Sequence, residues 1–180
     1  MRTFIDANVF VHAWTLDVLL SAADTGMVEP RWSRDVILEA ERAFSEVRPG
    51  SAGQARAMME AAGRAYPDAM VEGYETRIAA LEMPDDGDRH VLAAAAESGC
   101  DSIVTYNLRD FPQETLALYG LEALHPDDLL MRMVEMDPDA MRTIMKTLVR
   151  TKAHPPRTIA EEVAGLRRNR LERFSDWLAS

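Results

Sequence analysis

The chain predicts an α/β fold: a short parallel sheet flanked by helices, with a helical C-terminal extension. Three observations carry this. Short apolar runs near Arg2, Val28, Ala69, Ser102 and Leu121 alternate with stretches of helical periodicity, as parallel strands joined by crossover helices do. Beyond His125 the runs cease and helix follows helix. The 180 residues, 47% hydrophobic and 28% charged, suit one domain with an appended piece, here 1–125 and 126–180.

Each element has its local reason. Arg2 to Ile5 is a first strand, halted by the polar Asp6-Ala7-Asn8, after which helix runs to about Asp24 and Gly26 ends it. Val28 to Trp32 is a second, short strand. Ser33 caps a helix over 34–47, in which Val36, Ile37, Ala40 and Phe44 recur at helical spacing. Pro49-Gly50 breaks it, and an alanine- and methionine-rich helix follows over 54–64. A brief strand at 69–71 precedes a helix over 72–81. In the helix at 88–98, Val91, Leu92, Ala95 and Ala96 share the face that packs on a sheet.

A strand at 102–106, a short helix at 112–118 and a last strand at 121–124 complete the sheet. In the extension, Pro126 and Pro138 sit where a first helical turn tolerates proline, and Asp137 caps the second of these helices. Pro155-Pro156 stops that helix. Thr158 to Glu161 is a capping box, and Leu171, Phe174 and Leu178 mark a final amphipathic helix.

The single Cys100 excludes an internal disulfide and points to a reducing, cytoplasmic setting. The start of the chain carries an acid at position 6 and no apolar signal core, and no run approaches the ~20 apolar residues of a membrane helix. The net charge is −10, which disfavours a general nucleic-acid coat. The charge is uneven, because from Met141 onward nine lysines and arginines face four acids. Arg31, Arg34, Arg42 and Arg48, or this basic tail, are candidates for phosphate contacts.

The chemistry lies in the acids. There is no glycine-rich phosphate loop and no serine elbow. His12, His90, His125 and His154 lack metal-ligand spacing and read as structural or exposed. Asp6 follows strand one, Asp88 opens the helix before the strand at 102–106, and Asp110 lies just past that strand. Ligands of open parallel sheets bind beyond the carboxyl ends of the strands. Any one of these acids, or Asp85 or Asp86, serves equally as a helix cap or turn residue. Gathered together they repel, unless a divalent cation sits among them. Oxygen-only ligands favour Mg²⁺ or Mn²⁺ over Zn²⁺. On the second helix Glu39, Glu41 and Glu46 compete as a further acid, and periodicity does not separate Glu39 from Glu41.

The ordered set Phe4-Ile5-Asp6-Ala7-Asn8, Ser33 with Ile37-Leu38-Glu39, Asp85 with Asp88-Arg89-His90-Val91-Leu92-Ala93, and Ile103-Val104-Thr105-Tyr106-Asn107 with Asp110-Phe111 resembles a PIN domain of the VapC toxin type. The resemblance covers about residues 1–125, with a looser likeness of the tail to longer VapC-type toxins. It implies a PIN-like three-layer fold and an endoribonuclease of a type II toxin–antitoxin system, cleaving single-stranded RNA with Mg²⁺ or Mn²⁺. It selects Glu39 over Glu41. It implies Asp6, Glu39, Asp88 and Asp110 as catalytic acids, Asp6, Asp88 and Asp110 as metal ligands, and Asn8, Thr105 and Asn107 as supporting residues. Asp85 fits as an outer acid. Family members pair with an antitoxin and often dimerise, so a cognate antitoxin and a homodimer are expected. A DNA-directed nuclease and a catalytically quiet binding module are the alternatives.

Overall fold

A computed structural model describes residues 1–47, 49–151 and 158–180. The chain divides into two compact units: residues 1–11 with 29–124, and residues 12–28 with 125–180.

The first unit holds a five-stranded, wholly parallel sheet in the order β3-β2-β1-β4-β5. Its strands are β1 (Arg2–Ile5), β2 (Glu29–Ser33), β3 (Met70–Val71), β4 (Ser102–Val104) and β5 (Glu122–Leu124). In β1, consecutive Thr3, Phe4 and Ile5 are all buried, so the central strand is covered on both faces. That is why its sequence shows an apolar run rather than an alternation. Thr3 and Ser102, paired in register across β1 and β4, satisfy their buried hydroxyls against each other at 3.0 Å.

The strand order sets the position of any site. From β1 the chain builds outward through β2 and β3, then returns to the other side of β1 with β4 and β5. The gap between the carboxyl ends of β1 and β4 is therefore a topological switch point, where loops diverge and leave a crevice.

The helices of this unit are α1 (Ala7–Phe10), α3 (Arg34–Val47), α4 (Ala52–Ala65), α5 (Glu75–Ile78), α6 (Arg89–Glu97) and α7 (Gln113–Ala117). Ser33 starts α3 as expected, its Oγ accepting the Val36 N–H at 3.3 Å. Three expectations are corrected. The first helix is not continuous: α1 stops at Phe10, and α2 (Ala13–Ala23) begins after His12. The helix expected over 72–81 shrinks to four residues, because Gly73 takes a left-handed φ of 84° just before it. The strand expected over 102–106 ends at Val104, which frees Thr105 and Tyr106 for the loop.

The second unit contains α2, α8 (Pro126–Met136), α9 (Pro138–Thr151), α10 (Ile159–Arg168) and α11 (Glu172–Ala179). The capping box is present, with Thr158 and Glu161 bonding each other's backbone N–H. Asp137 caps α9 by accepting the Ala140 N–H. The expected helix stop at Pro155-Pro156 falls outside the described residues, as do Arg48, Lys152, His154 and Arg157. Among the described residues no helix is long and apolar enough to cross a membrane.

Candidate active site

Asp6 leaves the carboxyl end of β1 and is buried, at 6% exposure. Its Oδ1 accepts the Ala7 N–H at 2.7 Å; its Oδ2 accepts the Asn8 amide and the Thr105 hydroxyl, each at 2.6 Å. Asn8 is held in one orientation, because its Oδ1 accepts the Tyr106 N–H at 3.0 Å. The Thr105 Oγ also accepts from Asn8 (2.9 Å) and from the Asn107 N–H (3.0 Å). The loop after β4 is thereby clamped to the end of β1 across the switch point. Asn107 donates its side-chain amide to Asp110, which closes a short 3₁₀ turn over 108–110.

Asp88 ends a 3₁₀ turn at the start of α6, and Glu39 projects from the middle of α3. Asp6, Asn8, Glu39, Asp88, Asn107 and Asp110 together line one pocket of about 260 Å³. The structure thus brings together the four acids expected to be catalytic, with Asn8 and Asn107 on the wall and Thr105 buried beneath. Glu41 and Glu46 face a separate groove with Leu38, Arg42, Ser45, Ala52 and Arg56. Asp85 caps the 3₁₀ turn by accepting the Gly87 N–H at 2.8 Å, and Asp86 pairs with Arg89 at 2.5 Å.

Sequence reasoning missed His90, which it grouped with the structural histidines. Its Nε2 lies 3.0 Å from Glu39 Oε1. The available signal was its place two residues after Asp88, which puts it at the N-terminal end of α6 beside the pocket.

The electrostatics are those of crowded acid. Burial, then the charges of Asp6, Asp110 and Asp85, push the Asp88 carboxyl from 3.8 up to about 7, with His90 opposing. Burial also raises Asp6, against the hydrogen bonds from Thr105 and Ala7, and Glu39 adds repulsion. Burial opposes charge on His90, but the hydrogen bond and charge of Glu39, with Asp35 and Asp6, prevail and raise it. An added cation would relieve this cluster, and the donors are oxygens, as Mg²⁺ or Mn²⁺ prefers. Among the described residues no three His, Cys, Asp or Glu side chains converge closely enough to hold an ion as they stand. The donor chemistry fits; holding an ion calls for the carboxylates to draw inward.

Among the described residues, four basic side chains of the tail are engaged within their own unit. Arg167 pairs with Asp176, Arg173 with Asp128 at 2.7 Å, and the guanidinium groups of Arg142 and Arg168 lie over Trp177 and Trp14. In the first unit Arg31 lies 3.6 Å from Glu29.

A parallel α/β sheet with an acid-lined pocket at its switch point is the class of protein this geometry defines. A PIN domain model matches residues 2–109, and a model described as the VapC50 C-terminal domain matches residues 126–180. The chain belongs to the PIN-domain family, in its VapC branch. A protein named "Putative ribonuclease VapC50", from Mycobacterium tuberculosis (strain ATCC 25618 / H37Rv), is 40% identical over 86 residues. That match spans 48% of this chain and 50% of the relative, about half the length of each. No solved structure matches significantly.

Proposed function

We propose that this chain is a divalent-dependent endoribonuclease that cleaves single-stranded RNA, acting as a toxin that a cognate antitoxin neutralises. The observation that carries the reading is the convergence of Asp6, Glu39, Asp88 and Asp110 on one pocket at the switch point. Membership of the PIN family and likeness to a protein named as a ribonuclease support it. On this reading residues 1–125 are the nuclease domain and 126–180 its helical extension. The protein works in the cytoplasm as a homodimer.

Asp6, Asp88 and Asp110 are the ligands for Mg²⁺ or Mn²⁺. A bound ion supplies charge for the phosphodiester oxygens and lowers the pKa of a water. The chain's own residues do the rest. Thr105 and Asn8 hold the Asp6 carboxylate still at the pocket floor. Asn107 does the same for Asp110. Glu39 stands on the opposite element, α3, where it can accept a proton from an attacking water or complete the acidic shell.

The test is cleavage of a short single-stranded RNA by the purified chain with Mg²⁺ or Mn²⁺, with excess EDTA, and with Asp6→Ala. Expected are cleavage only with the divalent ion and loss in the variant. Cleavage persisting in EDTA would falsify the mechanism. Sequencing RNA 5′ ends after expressing the wild type and Asp6→Ala then reads the cellular target, and identical profiles would refute the toxin reading.

A further inference from the structure

We propose that His90 is a positioning residue for the Glu39 carboxylate, fixing it on the pocket wall through one hydrogen bond. The proposal rests on the nuclease reading above and deepens it.

A glutamate in mid-helix has three rotatable bonds, and the Glu39 side chain is 43% exposed. Left alone it samples many rotamers, and ordering it costs side-chain entropy. Its Oε1 lies 3.0 Å from His90 Nε2. A carboxylate only accepts, so Nε2 must carry the proton and donate.

His90 itself is nearly enclosed, with its side chain 11% exposed, and it lies in the first turn of α6. Among the described residues, its other ring nitrogen, Nδ1, is buried without a hydrogen-bond partner. A residue that merely filled this space would serve better as an apolar side chain, since a buried orphan nitrogen costs free energy. The ring's polarity therefore has one visible use, the bond to Glu39. That bond also joins α3 to α6, whose preceding residue is Asp88. It thereby sets the lateral position of one pocket acid against another. Glu41, two residues on, faces the other groove.

The experiment is a double-mutant cycle in the full chain: His90→Leu, Glu39→Gln and the pair, with His90→Gln as the variant that keeps an N–H donor. Should His90→Leu fail to fold, His90→Phe takes its place. Turnover and KM on a short single-stranded RNA with Mn²⁺ are read, alongside thermal unfolding in EDTA. Expected is a loss of turnover on the order of 10- to 100-fold in His90→Leu with a smaller change in KM, since slight misplacement of a catalytic group costs that much. His90→Gln recovers most of the loss. In the Glu39→Gln background His90→Leu costs little more.

A purely structural role predicts otherwise: His90→Gln as impaired as His90→Leu, or an undiminished cost in the Glu39→Gln background. Either result overturns the proposal. If the wild type cleaves no better than Asp6→Ala, the nuclease reading itself falls. The pair is then judged by the unfolding cycle, where absence of coupling between His90 and Glu39 overturns it too.

Discussion

The Thr105 hydroxyl donates to the Asp6 carboxylate at 2.6 Å, tying the loop after β4 to the carboxyl end of β1. The same oxygen accepts from the Asn8 amide and from the Asn107 N–H, so one hydroxyl serves three neighbours. Thr105 is wholly buried. Valine matches its shape and removes every one of these bonds. Thr105→Val is expected to lose about 1–3 kcal/mol of stability, the cost of leaving buried polar partners unmet. RNA cleavage should fall at least tenfold, while Thr105→Ser stays near wild type. Urea unfolding and cleavage rates on the three proteins check it, and a fully active Thr105→Val would remove this hydroxyl from the site.

Without a divalent ion, stability should decline as pH rises. The folded protein holds Asp88 at about 7, against the ordinary 3.8. Between those values the folded state keeps a proton that the unfolded chain has released, so the benefit is complete below about 4 and lost as pH passes 7. Asp6 and His90 are raised as well and act with the same sign. Urea midpoints in EDTA should therefore fall from pH 5 to pH 8. Asp88→Asn should show a shallower fall and exceed the wild type at pH 8. A flat wild-type profile would contradict the crowding of these acids.

Added Mn²⁺ should reverse that decline. An ion that binds the folded state alone stabilises it by an amount that grows with the logarithm of its concentration over its Kd. It must also displace the Asp88 proton, so its effect should be greater at pH 8 than at pH 6. The rise in melting temperature with Mn²⁺ should vanish in Asp6→Ala. Equal shifts in the variant would place the ion elsewhere.

The fold was legible in the sequence because central strands covered on both faces must be apolar runs, and β1 and β4 are. The acids were legible as positions, since Asp6 and Asp110 each follow such a run. Glu39 was not separable from Glu41 by periodicity, because both border the apolar face of α3; only the packing of α3 puts one at the pocket and the other at a different groove. His90 was invisible for a similar reason. Its partner is 51 residues away, and nothing local distinguishes a histidine that donates to a carboxylate from one that fills space. The break between α1 and α2 carried no proline or glycine to announce it. The grouping of residues 12–28 with the C-terminal helices was equally hidden, since it depends on long-range packing.

Asp127 is an acid with a different task. It is buried in α8, and its two oxygens accept the Arg173 and Phe174 N–H groups at 3.0 and 2.9 Å. These are open donors at the start of α11, whose own N-cap position, Leu171, offers no side-chain bond. Asp127→Ala should cost about 1–3 kcal/mol, since the buried Phe174 N–H and the part-buried Arg173 N–H lose their acceptor. Asp127→Asn should cost less, because its amide oxygen still accepts one. Denaturant unfolding measures both, and an Asp127→Ala as stable as the wild type would mean that α11 does not depend on this cap.

The packing of α10 on α2 supplies a last, sharper test. A Cβ added at Gly165 would meet the Trp14 ring at 2.3 Å, far inside van der Waals contact. Gly165 is helical and buried, so its lack of a side chain serves close approach rather than a special φ. Alanine is ordinarily the better helix former by about 1 kcal/mol. Here the clash should outweigh that preference, since overpacking costs about 1–3 kcal/mol. Gly165→Ala should therefore destabilise, and Trp14→Leu in the same chain should relieve part of the loss. A stabilised Gly165→Ala would mean that the Trp14 ring moves aside freely and that propensity, not packing, governs this contact.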